Sequence, residues 1–358
     1  MSLLIHGGNA GILGLVAAMR VVATARGTRP FRGHPLELVQ AFASVALAAQ
    51  HAQERDIIDD LGPLLALDEP WSSEEEAVAA IARWIPDHEQ RGEVVHAALL
   101  VALDADQPDP HGLHAARWLA RGLGADDATV RDVEATCRSD AARAQTDLFR
   151  RFLSWKTGLT VEVIAARMDH LEPPVLTPAA DLELLRRAIR EPKDGTVADQ
   201  LARFYADTEF DLPGSPGVLP LEVLGSHDIH HVLTAYDASP EDEVYLAVFN
   251  AANSQKGGMD YLAVIMLQWH QGIRVGVFDP DRARLDPRKL AAAALRGSET
   301  TTDLSARSWD FWSILDIPLD DARTTLGIPP GGSVLPGGHW DAGSHRIVPV
   351  RSATGEAT

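Results

Sequence analysis

Ser226-His227-Asp228-Ile229-His230-His231-Val232-Leu233-Thr234-Ala235-Tyr236, followed by Asp237-Ala238-Ser239-Pro240-Glu241-Asp242-Glu243, spells a helix, a break and a second helix. On a helix over 226–236, His227 and His231 stand one turn apart on the same face, with Asp228 at its edge. Asp237 to Pro240 breaks that helix, and Ser239 with Pro240 forms an N-cap and first-turn pair for the next. The second helix then returns Glu243 to about the height of His231. His230 points about a hundred degrees away from His231 and reads as a packing or surface residue.

Read as chemistry, the run is H-D-x-x-H-x11-E, in which His227, Asp228, His231 and Glu243 form a candidate divalent-metal site. Two imidazoles with carboxylates suit zinc first, and equally iron or manganese, because no thiolate selects a soft metal. Requiring the downstream Glu lowers the chance occurrence of the pattern to roughly a few in a thousand chains. The bland alternative is two ordinary helix histidines beside surface acids.

Helical patterning extends outward from this pair. On the N-terminal side, apolar residues at helical spacing predict helices over 36–50, 74–85, 91–104, 126–137 and 140–155, with another opening at Asp109-Pro110 and closing at Gly122 and Gly124. After it the same pattern gives 181–191, 196–207, 219–236, 240–253, 259–271, 287–296 and 309–326. Residues 273–278 read equally as a short strand or as continued helix. The fold class is therefore all-α. Two helical domains, 1–155 and 181–328, are joined by a Pro-rich linker over 156–180 around Pro173, Pro174 and Pro178, and 329–358 is an extended tail.

The chain has 358 residues, 46% of them hydrophobic and 23% charged, which is the composition of a globular protein with ample core. Its net charge of -19 argues against nucleic acid, because phosphate binding needs a clustered positive field. The single cysteine, Cys137, forms no intrachain disulfide, as suits the cytoplasm, and nothing near it suggests an activated thiol. No segment reads as a transmembrane span. Residues 1–19 carry no charged side chain but lack the basic start of a secretory signal, so none is expected.

Two resemblances add to this reading. Ala98 to Glu134, within about 35–150, resembles the helical TerB-type tellurite-resistance family. There the acidic turn Asp104, Asp106 and Asp109 is the only analogue of a cation loop, and its spacing fails the EF-hand pattern. Residues 181–328 resemble the ubiquinone (coenzyme Q) biosynthesis family that contains the fourth coenzyme-Q assembly protein. That resemblance rests on Gly195-Thr196, Tyr205, the H-D-I-H-H-V-L-T-A-Y run, Glu243, Trp312 and the Ile317–Ile328 segment. It implies that His227, Asp228, His231 and Glu243 ligate the metal. It also implies an all-helical domain that binds a prenylated lipid or quinone precursor, sits at the periphery of a membrane, and associates with biosynthetic protein partners. The implied chemistry replaces a head-group carboxylate by hydroxyl. Val244, Val248, Phe249, Leu262, Ile265, Met266 and Trp269 are candidates for an apolar groove, or else ordinary core. The sequence departs from the family where Asp242, not Gly, precedes the motif glutamate, and in its N-terminal helical domain.

Three rivals share parts of the pattern. In an H-E-x-x-H protease the intervening Glu is the general base, and Asp228 is one methylene too short for that role. A phosphohydrolase of the His-Asp type would need further ligands, for which His170 and Asp260 could be drafted. A non-catalytic, metal-stabilised scaffold is the third, and coordination number separates it from an enzyme, since catalysis needs an open position. His6-Gly7-Gly8 lacks a matching G-x-S-x-G elbow, and Gly8, Gly11 and Gly14 have the wrong spacing for a dinucleotide fingerprint.

Overall fold

The computed structural model describes residues 8–49, 58–66, 68, 70–125, 128–137, 141–169, 177–215, 218–254, 258–275, 280–333, 340–341 and 346–347. Among these the fold is all-α, as the patterning predicts. The one strand pairing is a two-residue antiparallel contact between Trp340–Asp341 and Arg346–Ile347. Pro173 and Pro174 of the expected linker, and His6, Gly7 and His170, lie outside the described residues.

The helices are α1 Gly8–Ala23, α2 His34–Ala49, α3 Ile58–Leu65, α4 Glu74–Trp84, α5 His88–Leu103, α6 Pro110–Leu123, α7 Ala128–Thr136 and α8 Ala141–Thr157. They continue with α9 Val161–Asp169, α10 Ala179–Arg190, α11 Val197–Thr208, α12 Leu221–Thr234, α13 Pro240–Asn253, α14 Gly258–Trp269, α15 Pro287–Glu299 and α16 Leu319–Leu326. Start and stop chemistry accounts for several boundaries. Ser73 caps α4 by accepting from the Glu76 N–H at 3.2 Å, while the Glu76 carboxylate accepts from Ser72 N at 2.8 Å. Asp109 caps α6 ahead of Pro110, and Gly124 closes it in the left-handed region at φ 69°.

The chain forms two compact units, one of residues 1–152 with 247–298, the other of 153–246 with 299–358. The first break falls close to the expected boundary at 155. The 181–328 block, by contrast, is divided, because its residues 247–298 join the N-terminal unit. The reason is packing: α14 lies against α5 and α7, a pairing that periodicity cannot reveal because it says only that a face is buried.

In the first unit α1 is the central helix, packed by α2, α3, α4, α5 and α6. Every residue from Gly11 to Ala23 is buried, as expected of a helix that is apolar on all sides. Arg20 is the exception in chemistry, and its guanidinium donates to the carbonyls of Leu64 at 2.8 Å, Ala66 at 2.6 Å and Asp68 at 2.6 Å, which tie off the end of α3.

In the second unit α11 packs against α10, α12 and α16. The start of α11 is pinned by Val197 N–H donating to Ile317 O at 3.0 Å and by Leu319 N–H donating to Gly195 O at 3.0 Å. The helix expected over 309–326 is instead a short 3-10 turn, Phe311–Ile314, followed by α16. Pro318 separates the two, because it has no N–H to continue the helix and disfavours helical backbone at the residue before it. Part of the expected linker is also helical, since it holds α9 and the end of α8.

Candidate metal centre

α12 carries His227 and His231, and α13 carries Glu243 in its acidic first turn. Their donor atoms converge. His227 Nε2 lies 3.3 Å from His231 Nε2, and the Glu243 carboxylate lies 3.3 Å from His227 Nε2 and 3.4 Å from His231 Nε2. One ligand atom from each of the three falls within 4.8 Å of the others, and among the described residues this is the group able to hold a metal ion.

The local structure aims these atoms. His231 Nδ1 lies 3.1 Å from the Tyr236 carbonyl oxygen, which can only accept, so Nδ1 carries a hydrogen. In the neutral ring that a metal requires, the Nε2 lone pair then faces His227 and Glu243. Phe204 of α11 stacks on the His231 ring with centroids 5.4 Å apart, fixing its plane. α16 holds the end of α12, because Arg323 donates to the carbonyls of Leu233 at 2.8 Å and Val232 at 3.1 Å. Such partners behind the ligands are what metal-binding histidines use to set tautomer and orientation.

Electrostatics agree with a cation-binding cluster. Burial works against the Glu243 carboxylate, yet the His227 and His231 rings outweigh it and hold that group well below the ordinary carboxylate range. His231 is likewise opposed by burial but raised overall by Glu243 beside it. Three electron-pair donors facing one point, two of them nitrogen, fit a divalent first-row metal.

Asp228 occupies a different place. It is buried, and its Oδ2 accepts the Tyr205 hydroxyl at 2.7 Å, so it stands beside the three-donor group and outside it. Burial raises its pKa, with His227 and Tyr205 pulling the other way. His230 packs as expected. It is fully buried, Nε2 lies 3.1 Å from Leu304 O, its ring lies 5.4 Å from that of Trp309, and burial keeps it neutral.

Lys156 of α8 was not singled out by sequence. Its amine donates to Ser226 Oγ at 3.4 Å, and burial pushes it down to about 8 against the pull of Asp228 and Asp303. No local motif marks a residue so far away in the chain. Other sequence candidates have structural duties. Asp260 accepts from Thr129 at 2.7 Å, Asp104 pairs with His34 at 2.7 Å, and Asp109 pairs with Arg29 at 2.7 Å. Of the groove candidates, Val244, Val248, Phe249, Leu262 and Met266 are buried as core, while Ile265 and Trp269 are half-buried.

No helix among the described residues is long and apolar enough to cross a membrane. No family model, curated protein or solved structure matches this chain.

Proposed function

We propose that this protein binds one divalent metal through His227, His231 and Glu243 and uses it on a prenylated aromatic precursor of a quinone, replacing the head-group carboxylate by hydroxyl. The observation that carries the metal reading is the convergence of two Nε2 atoms and one carboxylate with the His231 tautomer already set by Tyr236. Zinc is the first candidate for binding, but it has no redox chemistry. Direct use of dioxygen would require iron or manganese in the same two-histidine, one-carboxylate set, or a partner enzyme that supplies the oxidation. Three protein donors leave coordination positions for a substrate, which favours catalysis over a closed scaffold.

The lipid and the reaction are drawn from the resemblance of residues 181–328 to the coenzyme Q biosynthesis family, as are the membrane periphery and the biosynthetic protein partners. The implied reaction is a two-electron oxidation. The ring–carboxyl bond breaks, carbon dioxide leaves, and a ring–oxygen bond forms. With dioxygen as oxygen source, the second oxygen atom leaves as water at the expense of a two-electron donor. A bound metal would supply charge stabilisation for the substrate carboxylate or phenolate. Of the chain's own groups, Tyr205 and Asp228 can hold a proton beside the site, and Phe204 keeps the His231 plane.

Elemental analysis of untagged wild-type protein beside the His227→Ala/His231→Ala double variant tests the metal. About one equivalent, lost in the variant, is the expected result. Equal metal in both proteins removes the site, and the metal's identity directs the substrate assay. That assay supplies a prenylated hydroxybenzoate and follows carbon dioxide and the hydroxylated ring.

A further inference from the structure

The segment after α16 reaches back to the centre. Ser333 N–H donates to Ala235 O at 2.8 Å, and the Ser333 side chain hydrogen-bonds the Asp242 carboxylate. Asp242 in turn accepts the Asp237 N–H at 2.7 Å. Ala235 and Asp237 flank Tyr236, whose carbonyl fixes the His231 tautomer, and Asp242 precedes Glu243. Two anchors of one strap therefore grip both sides of the turn that sets one metal ligand and adjoins another.

Glycine is required for this approach. Gly331 and Gly332 have φ of 138° and 104°, and a Cβ on Gly332 would collide with the carbonyl oxygens of Thr234 and Ala235. Ala235 itself sits at φ 58°, a left-handed position that strains a non-glycine residue and persists only where neighbours hold it. The Ser333 N–H is such a neighbour.

We infer that Gly332 and Ser333 are positioning residues for the metal centre. They hold the 235–242 turn so that the Tyr236 carbonyl meets His231 Nδ1 and α13 presents Glu243. This rests on the metal reading above. It adds that metal affinity depends on a short glycine strap that follows α16, far from the ligands in sequence. Partners behind the ligands typically change metal affinity by about 10–100-fold.

The test is zinc affinity by competition with a chromophoric chelator, in the full chain, for wild type, Gly332→Val, Ser333→Ala and Ser333→Thr. The expected result is about tenfold or greater weakening in Gly332→Val and Ser333→Ala, with Ser333→Thr restoring wild-type affinity through its hydroxyl. A Leu119→Ala variant, at a fully buried position of α6 in the first unit, controls for general loosening and is expected to keep wild-type affinity. Wild-type zinc affinity in both Gly332→Val and Ser333→Ala overturns the inference, as does equal weakening in Leu119→Ala. Failure of the wild type itself to bind zinc, iron or manganese is a different result and defeats the metal reading first.

Discussion

Tyr205 donates a 2.7 Å hydrogen bond to Asp228, one residue beyond the first histidine of the candidate metal centre. The bond joins α11 to α12 and gives the buried carboxylate a partner of its own. Burial and the adjoining carboxylate push the Tyr205 hydroxyl far above its ordinary range, so it remains a donor at any working pH. The motif reading makes Asp228 a fourth ligand, whereas the geometry pairs it with Tyr205, beside the three-donor group and outside it. The two roles differ measurably.

If Asp228 orients the centre from beside it, Asp228→Asn keeps a hydrogen-bond partner for Tyr205 and retains metal with about 10–100-fold weaker affinity. Glu243→Gln, which removes the charged donor of the cluster, is expected to lose stoichiometric metal. Elemental analysis with competitive titration reads both. Complete metal loss in Asp228→Asn would make Asp228 a direct ligand.

Arg20 is fully buried yet bonds three carbonyls around the end of α3, and its guanidinium lies 4.5 Å from the centre of the Phe31 ring. Arg20→Met preserves apolar bulk but strands those acceptors. Each charge-assisted bond is worth about 1.5–3 kcal/mol, so a loss of about 3 kcal/mol or more is expected in urea unfolding. A change under about 1 kcal/mol would mean that water replaces the guanidinium there.

Cys137 lies in the first unit near Gln271, and burial pushes its thiol up to about 12. The nucleophilic thiolate is thus scarce at neutral pH. Native protein at pH 7.5 is expected to react with a thiol reagent far more slowly than a free cysteine, and urea-unfolded protein at the ordinary rate. Equal rates in both states would contradict a thiol shielded and raised by its half-buried position.

Much of this architecture was legible because helices announce themselves locally. α12 and α13 could be placed from the break at 237–240, and α4 and α6 from Ser73 and Asp109. α1 was harder, because a segment without a polar face shows no helical stripe and resembles a leader. The single helix expected over 309–326 failed where Pro318 outweighed the apolar pattern. That His227, His231 and Glu243 would come together followed from helical spacing alone. Their supports did not: Tyr205 is 23 residues from Asp228, and Arg323 is 90 and 91 residues from the carbonyls it holds. The transfer of α14 and α15 to the first unit was equally hidden, since periodicity identifies a buried face but never its partner.

His34 and Asp104 predict a stability that falls as pH rises. They lie 2.7 Å apart, with Asp104 almost fully buried and His34 partly exposed. The hydrogen bond to Asp104 raises His34 above its ordinary 6.5, and burial raises Asp104 above its ordinary 3.8. Both groups hold their protons more tightly folded than unfolded, so unfolding releases protons and higher pH favours it. The contribution of His34 is full below 6.5 and disappears as pH climbs through its raised folded value. Asp104 loses its share earlier, from about pH 4 upward. Wild-type melting temperature minus that of His34→Gln is therefore expected to shrink from pH 6 to pH 8. A difference that stays constant or grows over that range would show that His34 does not carry the proton in the folded pair.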